Sequence, residues 1–370
     1  MHGWINARAE RGYPRSVTTA TEWLDAMSPW PRDGFGLDRM RALLALLGDP
    51  QLAYPAIHVV GTNGKSTATV AIEQLLLSEG LSVGSTISPH VLGWDERIRL
   101  DGEQADFEEA VARARPAAEQ LGATQFEAVT AAALAAFEAA RVDVAVVEAG
   151  LGGRHDATNV LRTRVVLLTN VGLEHMDVLG ETLEAIATEK LAVAPDHAVV
   201  VLPDDTYGHL VPGREIRFGA AREAAEAFVG HEIAADPLVA LPGRFERRHR
   251  EIRDGAHNPD GARHLVDQLD RDDHIVVASI LGDKDVDAVL ATLRRAGPRF
   301  VATSSSSPRA LPAPELGRRA RAYFEHVEVV DDPVAAVARA HELGEPVLVT
   351  GSLYLLGDLA QAEQRSAWRA

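Results

Sequence analysis

The sequence predicts an α/β protein built from two doubly wound sheets of largely parallel strands. Short β-branched runs alternate with Ala/Leu-rich helical stretches, the runs are continuously apolar, and a segment containing Pro and Gly divides them into two sets. Continuous apolar runs without alternation are typical of parallel strands covered on both faces. Repeated strand–helix units form doubly wound sheets, and 370 residues suffice for two domains of this kind.

The predicted strands fall into two groups of four, with helical patterns between them. The first group is 56–60, 142–149, 164–171 and 197–202, and the second is 274–281, 299–304, 326–330 and 346–350. The helical patterns cover 65–79, 105–121, 126–140, 181–194, 259–269, 285–295 and 333–343. The segment ADPLVALPGRF (235–245) separates the two groups. We therefore expect one domain over 1–240 and a smaller one over 241–370.

Composition excludes several classes of protein. The chain has 37 Lys+Arg against 54 Asp+Glu, a formal charge of −17, which disfavours nucleic acid and anionic membranes as partners because binding them requires clustered cations. No apolar run approaches the roughly 20 residues of a membrane span. Without Cys there are no disulfides, catalytic thiolates or Cys-ligated metals. The N-terminal stretch 1–14 has no apolar run of signal-peptide length, so we expect a cytoplasmic protein.

A Gly-rich turn and a helix follow the first predicted strand in HVVGTNGKST (58–67). Such a turn aims backbone N–H groups at phosphate, with the Lys ammonium on the outer phosphates and a hydroxyl on Mg²⁺. The general phosphate loop has Gly six positions before its Lys, where this chain has Val59, so an ordinary strand–turn–helix junction is the alternative. We favour nucleotide binding and expect ATP contacts from Gly61, Thr62, Asn63, Gly64, Lys65, Ser66 and Thr67.

Polar residues also stand in three later segments. Glu148 stands at the carboxyl end of a predicted parallel strand, where α/β proteins bind ligands and where a carboxylate can hold Mg²⁺; helix capping is the alternative. His175 and Lys190 follow the next strand, and a lone His there is more often structural. The loop DGAHNP (254–259) precedes a helix, and its residues are also common in turns and caps.

Lysine is rare in this chain, since only Lys65, Lys190 and Lys284 occur among the 37 basic residues. Arg in place of Lys is uninformative by itself. Lys persists where a compact ammonium or a chemically modifiable amine is needed, because a guanidinium fork does not replace either. The three lysines are therefore candidates for functional positions.

Nine segments follow one another in a specific order. They are GTNGKST, SPHVLGWDERI, TQFEAVTAAALAAF, EAGLGGRHDATNV, LEHMDVLGETLEAIATEK, LPGRFE, DGAHNP, GDKD and GSLYLLG. Together they span about residues 35–357 with their surroundings and resemble the folylpolyglutamate synthase/dihydrofolate synthase branch of the Mur ligases. The resemblance implies a central P-loop domain of Mur-ligase type followed by a Rossmann-like C-terminal domain.

The resemblance also implies a reaction. Enzymes of this family use ATP to phosphorylate a carboxylate of a pteroate or folate, and the amine of L-glutamate then displaces phosphate from the acyl phosphate. Lys65 would neutralise charge on the β- and γ-phosphates, and Ser66 or Thr67 with Glu148 would hold one Mg²⁺. Glu148, His175 and Lys190 would frame a second Mg²⁺, with Lys190 carbamylated because an ammonium cannot ligate a cation. A helix-surface Lys is the alternative for Lys190.

Further residues acquire roles by the same resemblance. The C-terminal domain would reach over ATP through Arg244, Asp254, His257 and Asn258, so domain closure would complete the site. The expected partners are ATP, L-glutamate and dihydropteroate or a reduced folate, and the expected state is a monomer. The pocket for the acceptor, whose flat ring system suits an aromatic face, would be lined by Ser88, Pro89, His90, Phe126, Arg154 and Asp156.

Three other functions stay open at this point. They are a folate- or nucleotide-binding protein without turnover, a cell-wall Mur ligase, and a plain P-loop ATPase. The second is disfavoured because only about 55 residues precede the P-loop strand, below the usual size of a further domain. The first is favoured by one departure from the family: the helical stretch that normally precedes the PGR segment and touches adenine is absent from FVGHEIAADPLVALPGRF (228–245).

The missing adenine-contacting stretch predicts weak selection among purine nucleotides. Binding then rests mainly on the triphosphate and its Mg²⁺, so ATP and GTP should support similar rates of ligation. Steady-state kcat/KM measured with each nucleotide tests this. A preference for ATP of about 100-fold or more would show that other residues recognise the base.

Overall fold

The computed structural model describes residues 18–31 and 34–367 and confirms the predicted α/β fold class. Within these residues, 14 strands form two separate sheets, one of eight strands and one of six. The stretch 1–14, on which the expectation of a cytoplasmic protein depended, lies outside the described residues. No helix in the described part of the chain has the length and apolar character needed to cross a membrane.

The first sheet has the order β4-β3-β2-β5-β1-β6-β7-β8. Its strands are β1 Ala56–Val60, β2 Val83–Thr86, β3 Ile98–Leu100, β4 Glu103–Gln104, β5 Val144–Glu148, β6 Thr163–Leu168, β7 Val199–Leu202 and β8 Glu215–Phe218. The six strands from β2 to β8 in this order are parallel, and β3 and β4 add an antiparallel edge. Because β5, β1 and β6 are neighbours, the loops that follow their carboxyl ends meet at one edge of the sheet.

Eight α-helices in the described residues accompany the first sheet. They are α1 Ala20–Asp25, α2 Asp38–Leu46, α3 Lys65–Ser78, α4 Phe107–Leu121, α5 Gln125–Ala140, α6 Met176–Leu179, α7 Leu183–Leu191 and α8 Ala221–Val229. Short 3₁₀ turns lie at Pro50–Leu52, Trp94–Arg97 and Asp205–Leu210. Reciprocal bonds between Thr124 and Glu127 cap the start of α5. The many buried alanines of α5 let it approach α4 and the sheet closely.

The second sheet has the order β13-β12-β11-β14-β10-β9, with β9 antiparallel and the others parallel. Its strands are β9 Glu246–Arg247, β10 Glu251–Arg253, β11 Ile275–Ala278, β12 Arg299–Ala302, β13 His326–Val329 and β14 Val347–Thr350. Its helices are α9 Pro259–Asp267, α10 Val286–Leu293, α11 Ala313–Ala320, α12 Pro333–Leu343 and α13 Leu353–Ala367, with a 3₁₀ turn at Arg294–Ala296.

All eight predicted strands and all seven predicted helices occur, with ends shifted by a few residues. The prediction omitted the short strands β2, β3, β4, β8, β9 and β10, and of these β2, with the sequence VGST, has no apolar run. At Gly84 an added Cβ would lie 2.4 Å from the ring of Phe137, so this strand needs Gly for close packing. The two-domain division at 240/241 stays a prediction. That position lies between the last strand of the first sheet and the first strand of the second, and residues 231–240 form neither helix nor strand.

Candidate active site

The phosphate-loop turn lies between β1 and α3, where the sequence predicted it. Gly61 has a φ of 149°, and an added Cβ would collide with the hydroxyl of Thr169, so only Gly fits this turn. The Nζ of Lys65 donates to the carbonyls of Gly61 and Thr62 at 3.1 and 3.2 Å. No described side chain caps the start of α3. The first N–H groups of this helix are therefore available to an anion.

Glu148 ends β5 beside this turn and is almost fully buried. Its Oε2 accepts hydrogen bonds from the Ser66 hydroxyl at 2.8 Å and the Ser88 N–H at 2.9 Å. Burial raises the pKa of the Glu148 carboxyl, while Lys65, these two hydrogen bonds and Arg244 oppose the rise. The structure thus joins Ser66 to Glu148, whereas Thr67 lies exposed on α3. Of the two hydroxyls that the sequence left as alternatives, only Ser66 contacts the carboxylate.

Lys190 lies in the last turn of α7 and is 4% exposed, which excludes the helix-surface alternative. Its Nζ donates to the carbonyl of Gly61 at 2.7 Å, so two lysines share this one oxygen. Burial and the charge of Lys65 lower the pKa of Lys190 to about 7, against the opposing influence of Glu174 and Asp156. The side chain is therefore a substantially neutral amine near neutral pH.

His175 directly precedes α6. Its ring lies beside Glu174, a residue to which the sequence analysis gave no role. Its Nε2 lies 3.3 Å from Oε1 of Glu174, and the same oxygen lies 3.8 Å from Nε2 of His257 and 3.8 Å from Nζ of Lys284. Burial disfavours ionisation of Glu174, but bonds from the two histidines and the charge of Lys284 outweigh it and hold its pKa below the ordinary range. Glu174 thus links the domain of the first sheet to the domain of the second sheet. Lys284 was one of the three lysines that the sequence analysis marked as candidate functional residues. The rarity of lysine was therefore the sequence signal that could have revealed this cluster.

The DGAHNP loop performs the turn and capping roles that were the alternative reading of its sequence. Asp254 accepts from the N–H groups of Phe245 at 2.7 Å and Ala256 at 2.8 Å, and burial raises its pKa. Asn258 caps α9 by accepting from the N–H of Gly261 at 2.7 Å. These bonds fix the loop between β10 and α9.

Asn258 also contacts the phosphate loop of the other domain. Its Nδ2 donates to Oδ1 of Asn63 at 3.0 Å, and Nδ2 of Asn63 donates back to Oδ1 of Asn258 at 3.3 Å. The backbone of Asn63 is fixed separately, by Asn170 and Thr169. At Gly172 an added Cβ would lie 2.8 Å from a carboxylate oxygen of Asp260, so α9 approaches the loop after β6 closely. The reciprocal amide pair therefore ties the two domains together beside the nucleotide loop.

The predicted acceptor-side residues lie in the first turn of α5 and in the loops that follow β5 and β2. Phe126, in the first turn of α5, packs on Gly150, where an added Cβ would lie 2.5 Å from the ring. Arg154 is half-exposed and pairs with Glu189 at 3.1 Å. Asp156 is buried and accepts from the N–H groups of Leu151 and Thr158 and from the Thr158 hydroxyl.

The other loop follows β2 and carries Ser88, Pro89 and His90, joined through a cis Ser88–Pro89 bond. His90 Nδ1 accepts from Nε of Arg97 at 2.9 Å, and the His90 ring lies 4.8 Å from that of Trp94. Burial and the charge of Arg97 lower the pKa of His90 to about 3. His90 is therefore a neutral acceptor, held in place on an aromatic ring.

The donors near the phosphate loop fit a hard divalent cation. The described residues contain no group of three or more His, Cys, Asp or Glu side chains that could hold a metal ion. A hydroxyl and a carboxylate, Ser66 and Glu148, do lie 2.8 Å apart beside the open end of α3. Mg²⁺ is usually bound by one or two protein oxygens together with phosphate oxygens and water, and this pair meets that need.

Both domains of the chain match Mur ligases. Residues 59–226 match the Mur ligase middle domain and residues 243–353 match the Mur ligase glutamate ligase domain. The dihydrofolate synthase/folylpolyglutamate synthase of Mycobacterium tuberculosis is 32% identical over 403 aligned positions, covering 84% of this chain and 82% of the relative. The Bacillus subtilis protein of the same name is 29% identical, covering 88% of this chain and 94% of its own length.

Solved structures agree with these matches. The Escherichia coli FolC structure in complex with DHPP and ADP has a TM-score of 0.86 at 25% identity, covering 97% of this chain and all of that one. A bifunctional folylpolyglutamate synthase/dihydrofolate synthase with Mn, AMPPNP and L-glutamate bound has a TM-score of 0.81 at 26% identity, covering 95% of this chain and 99% of that one. The chain belongs to the folylpolyglutamate synthase/dihydrofolate synthase branch of the Mur ligase family. The predicted family and the predicted enzyme class, an ATP-dependent glutamate ligase of folate metabolism, are confirmed.

The amide pair between Asn63 and Asn258 predicts a selective effect of Asn258→Asp. A carboxylate still caps α9 through Gly261, but it places an oxygen against Oδ1 of Asn63, so the contact between domains becomes repulsive. We expect kcat/KM for ATP to fall about tenfold, the loss of one well-placed hydrogen bond, with a nearly unchanged melting temperature.

The matched control for this variant exchanges a cap that has no partner in the other domain. Asp332 caps α12 by accepting from the N–H of Ala335 at 2.8 Å, so Asp332→Asn should leave kcat/KM unchanged. Equal activity of Asn258→Asp and the native chain would contradict a functional contact between the domains.

Proposed function

We propose that this chain ligates L-glutamate to dihydropteroate, to a reduced folate, or to both. One observation carries the proposal: Lys65, Lys190 and the Ser66–Glu148 pair converge on the phosphate-loop turn. In the proposed reaction, an acceptor carboxylate oxygen attacks the γ-phosphorus of ATP, giving an acyl phosphate and ADP. The amine of L-glutamate then adds to the acyl carbon and loses a proton, and the tetrahedral intermediate expels phosphate to leave the amide.

Positioning and charge neutralisation are the tasks of the chain's own residues in this scheme. The uncapped N–H groups of α3 and the ammonium of Lys65 would bind the phosphates of ATP. Ser66 and Glu148 would hold a divalent cation, which would supply neutralisation of phosphate charge when bound. Arg244, whose charge already acts on Glu148, lies at the domain contact and would add a further cation from the other side.

Lys190 is proposed to work as a carbamate. Its buried amine is partly neutral near pH 7, and CO₂ adds only to the neutral amine, releasing one proton and leaving a carbamate anion. This would replace a cation that repels a metal by oxygen donors that a hard cation prefers. Glu148, the carbamate of Lys190 and His175 would then frame a second cation site, which requires His175 to turn from Glu174.

The acceptor and the setting of the enzyme complete the proposal. The loops carrying Phe126, Asp156 and His90 would receive the flat ring system of the acceptor, as the DHPP complex of the Escherichia coli neighbour supports. The bifunctional synthase solved with L-glutamate bound supports the second substrate. We further propose that the enzyme works as a cytoplasmic monomer.

Release of ADP that depends on both glutamate and an acceptor tests this function. The native chain should release ADP only when ATP, L-glutamate and dihydropteroate or tetrahydrofolate are all present, and assays with each acceptor separately define the preference. Lys65→Ala is the matched control, because this half-buried Lys bonds only loop carbonyls in the described residues and its loss should spare the fold. Nucleotide binding without ADP release in the presence of both substrates would overturn the proposed reaction.

Carbamylation of Lys190 predicts that Lys190→Arg lowers activity by at least about 100-fold, because a guanidinium does not form the carbamate. The neutral fraction of the amine decreases as the pH drops below 7. Removing bicarbonate should therefore lower the activity of the native enzyme more at pH 6 than at pH 8, and adding it should restore activity. With ¹³C-bicarbonate, a carbamate NMR signal should appear in the native chain and be absent from Lys190→Arg. A fully active Lys190→Arg enzyme would exclude the carbamate.

A further inference from the structure

Three polar side chains form a buried chain of hydrogen bonds behind the acceptor-side loop. His58, in the middle of β1, is 0% exposed, Thr158 is 1% exposed and Asp156 is 5% exposed. Nε2 of His58 lies 2.8 Å from Oγ1 of Thr158, which lies 2.5 Å from Oδ1 of Asp156. The sequence analysis assigned nothing to His58 or Thr158. This chain of hydrogen bonds runs from the centre of the sheet to Asp156, a residue expected to line the acceptor pocket.

The protons in this chain can be placed from the number of donors available. Burial lowers the pKa of His58 to about 3, so the imidazole is neutral and carries one N–H. Nδ1 has no hydrogen-bond partner among the described residues, and a buried donor without an acceptor is more unfavourable than a bare lone pair. The proton therefore resides on Nε2 and is donated to Thr158.

The hydroxyl of Thr158 has a single proton, which fixes the direction of the remaining hydrogen bonds in the series. Because its oxygen accepts from His58, the hydroxyl donates to Oδ1 of Asp156. Burial raises the pKa of Asp156, and the hydrogen bonds from Leu151 and Thr158 oppose the rise. The N–H of Thr158 also donates to Oδ1 at 3.0 Å, and the N–H of Leu151 donates to Oδ2 at 2.7 Å. Both carboxylate oxygens thus hold the loop that follows Glu148 and contacts Phe126 through Gly150.

We propose that His58 is a positioning residue for acceptor binding, acting through Thr158 on Asp156 and thereby on the loop 150–158. The inference rests on the proposed function, because it assigns the acceptor to this loop. A donor at the Nε2 position commits the Thr158 proton to Asp156 and keeps one arrangement of the loop. Without that donor, the hydroxyl is free to rotate away from Oδ1 of Asp156, which then retains the N–H of Thr158 as a partner.

A core-filling role is the competing explanation, and two substitutions of His58 separate it from positioning. His58→Leu fills the space without a polar atom, whereas His58→Gln can place an amide N–H near the former Nε2. If His58 positions the loop, His58→Leu raises KM for the folate acceptor about tenfold, the effect of losing one hydrogen bond toward a charged group. KM for ATP and kcat stay within about twofold of the native values. His58→Gln restores the acceptor KM to within about threefold of the native value.

Thr158→Val provides the second measurement, since it removes the hydroxyl and keeps the shape. If His58 acts through Thr158, this variant raises the acceptor KM as His58→Leu does, and the double variant is no worse than either single one. Independent, multiplicative effects would overturn the proposal, and so would equal KM values for His58→Leu and His58→Gln. Melting temperatures measured on every variant identify any loss that comes from unfolding.

The native enzyme separates failure of this inference from failure of the proposed function. If the native chain does not ligate glutamate, the proposed function fails before any variant is compared. If it does ligate glutamate and His58→Leu leaves the acceptor KM unchanged, only the positioning role of His58 is overturned. Should His58→Leu change KM for ATP and acceptor equally, the residue supports the sheet in general and the positioning role is likewise excluded.

Discussion

The carbonyl oxygen of Gly61 is the point on which the site depends. It accepts hydrogen bonds from the ammonium of Lys65 and from the side chain of Lys190, whose pKa is lowered by burial and by the charge of Lys65. Only Gly fits the backbone there, because the turn packs against Thr169 at the end of the neighbouring strand. The order β5-β1-β6 provides both neighbours, bringing Glu148 to one side of the turn and the loop after β6 to the other. The order of the strands, the conformation of the turn and the positions of the charged groups around it therefore depend on one another.

Local chemistry made part of this arrangement predictable from the sequence. The phosphate loop, Glu148 and Lys190 were found because each combines a strand end or Gly-rich turn with a residue type that has few other uses. Glu174 could not be found in this way, since its partners His257 and Lys284 come from the other domain. His58 looked like one more residue of a buried strand, because its partner Thr158 is distant in sequence and becomes adjacent only after the sheet forms.

The short, polar strands show a second limit of sequence reasoning. Continuous apolar runs identified the central strands, which are covered on both faces. The strand β2 is equally buried, yet it contains Gly84, Ser85 and Thr86, because α5 packs so closely that a larger residue than Gly would collide with Phe137. Ser85 in turn donates to the buried carboxylate of Glu73. The residue types in this strand are determined by contacts with residues that are distant in sequence. A local sequence pattern does not reveal such contacts.

Asn258 combines two roles, so its own contact with the other domain can break without disturbing α9. Its Oδ1 caps α9 whether or not the other domain is near, since the bond to Gly261 lies within its own domain. Breaking the amide pair with Asn63 therefore costs two solvent-exchangeable hydrogen bonds, about 1–3 kcal/mol in total, and leaves α9 intact. A barrier contribution of this size is compatible with hinge motion on microsecond to millisecond timescales. The contact can hold reactants in register during a catalytic cycle and still release products at the end of it.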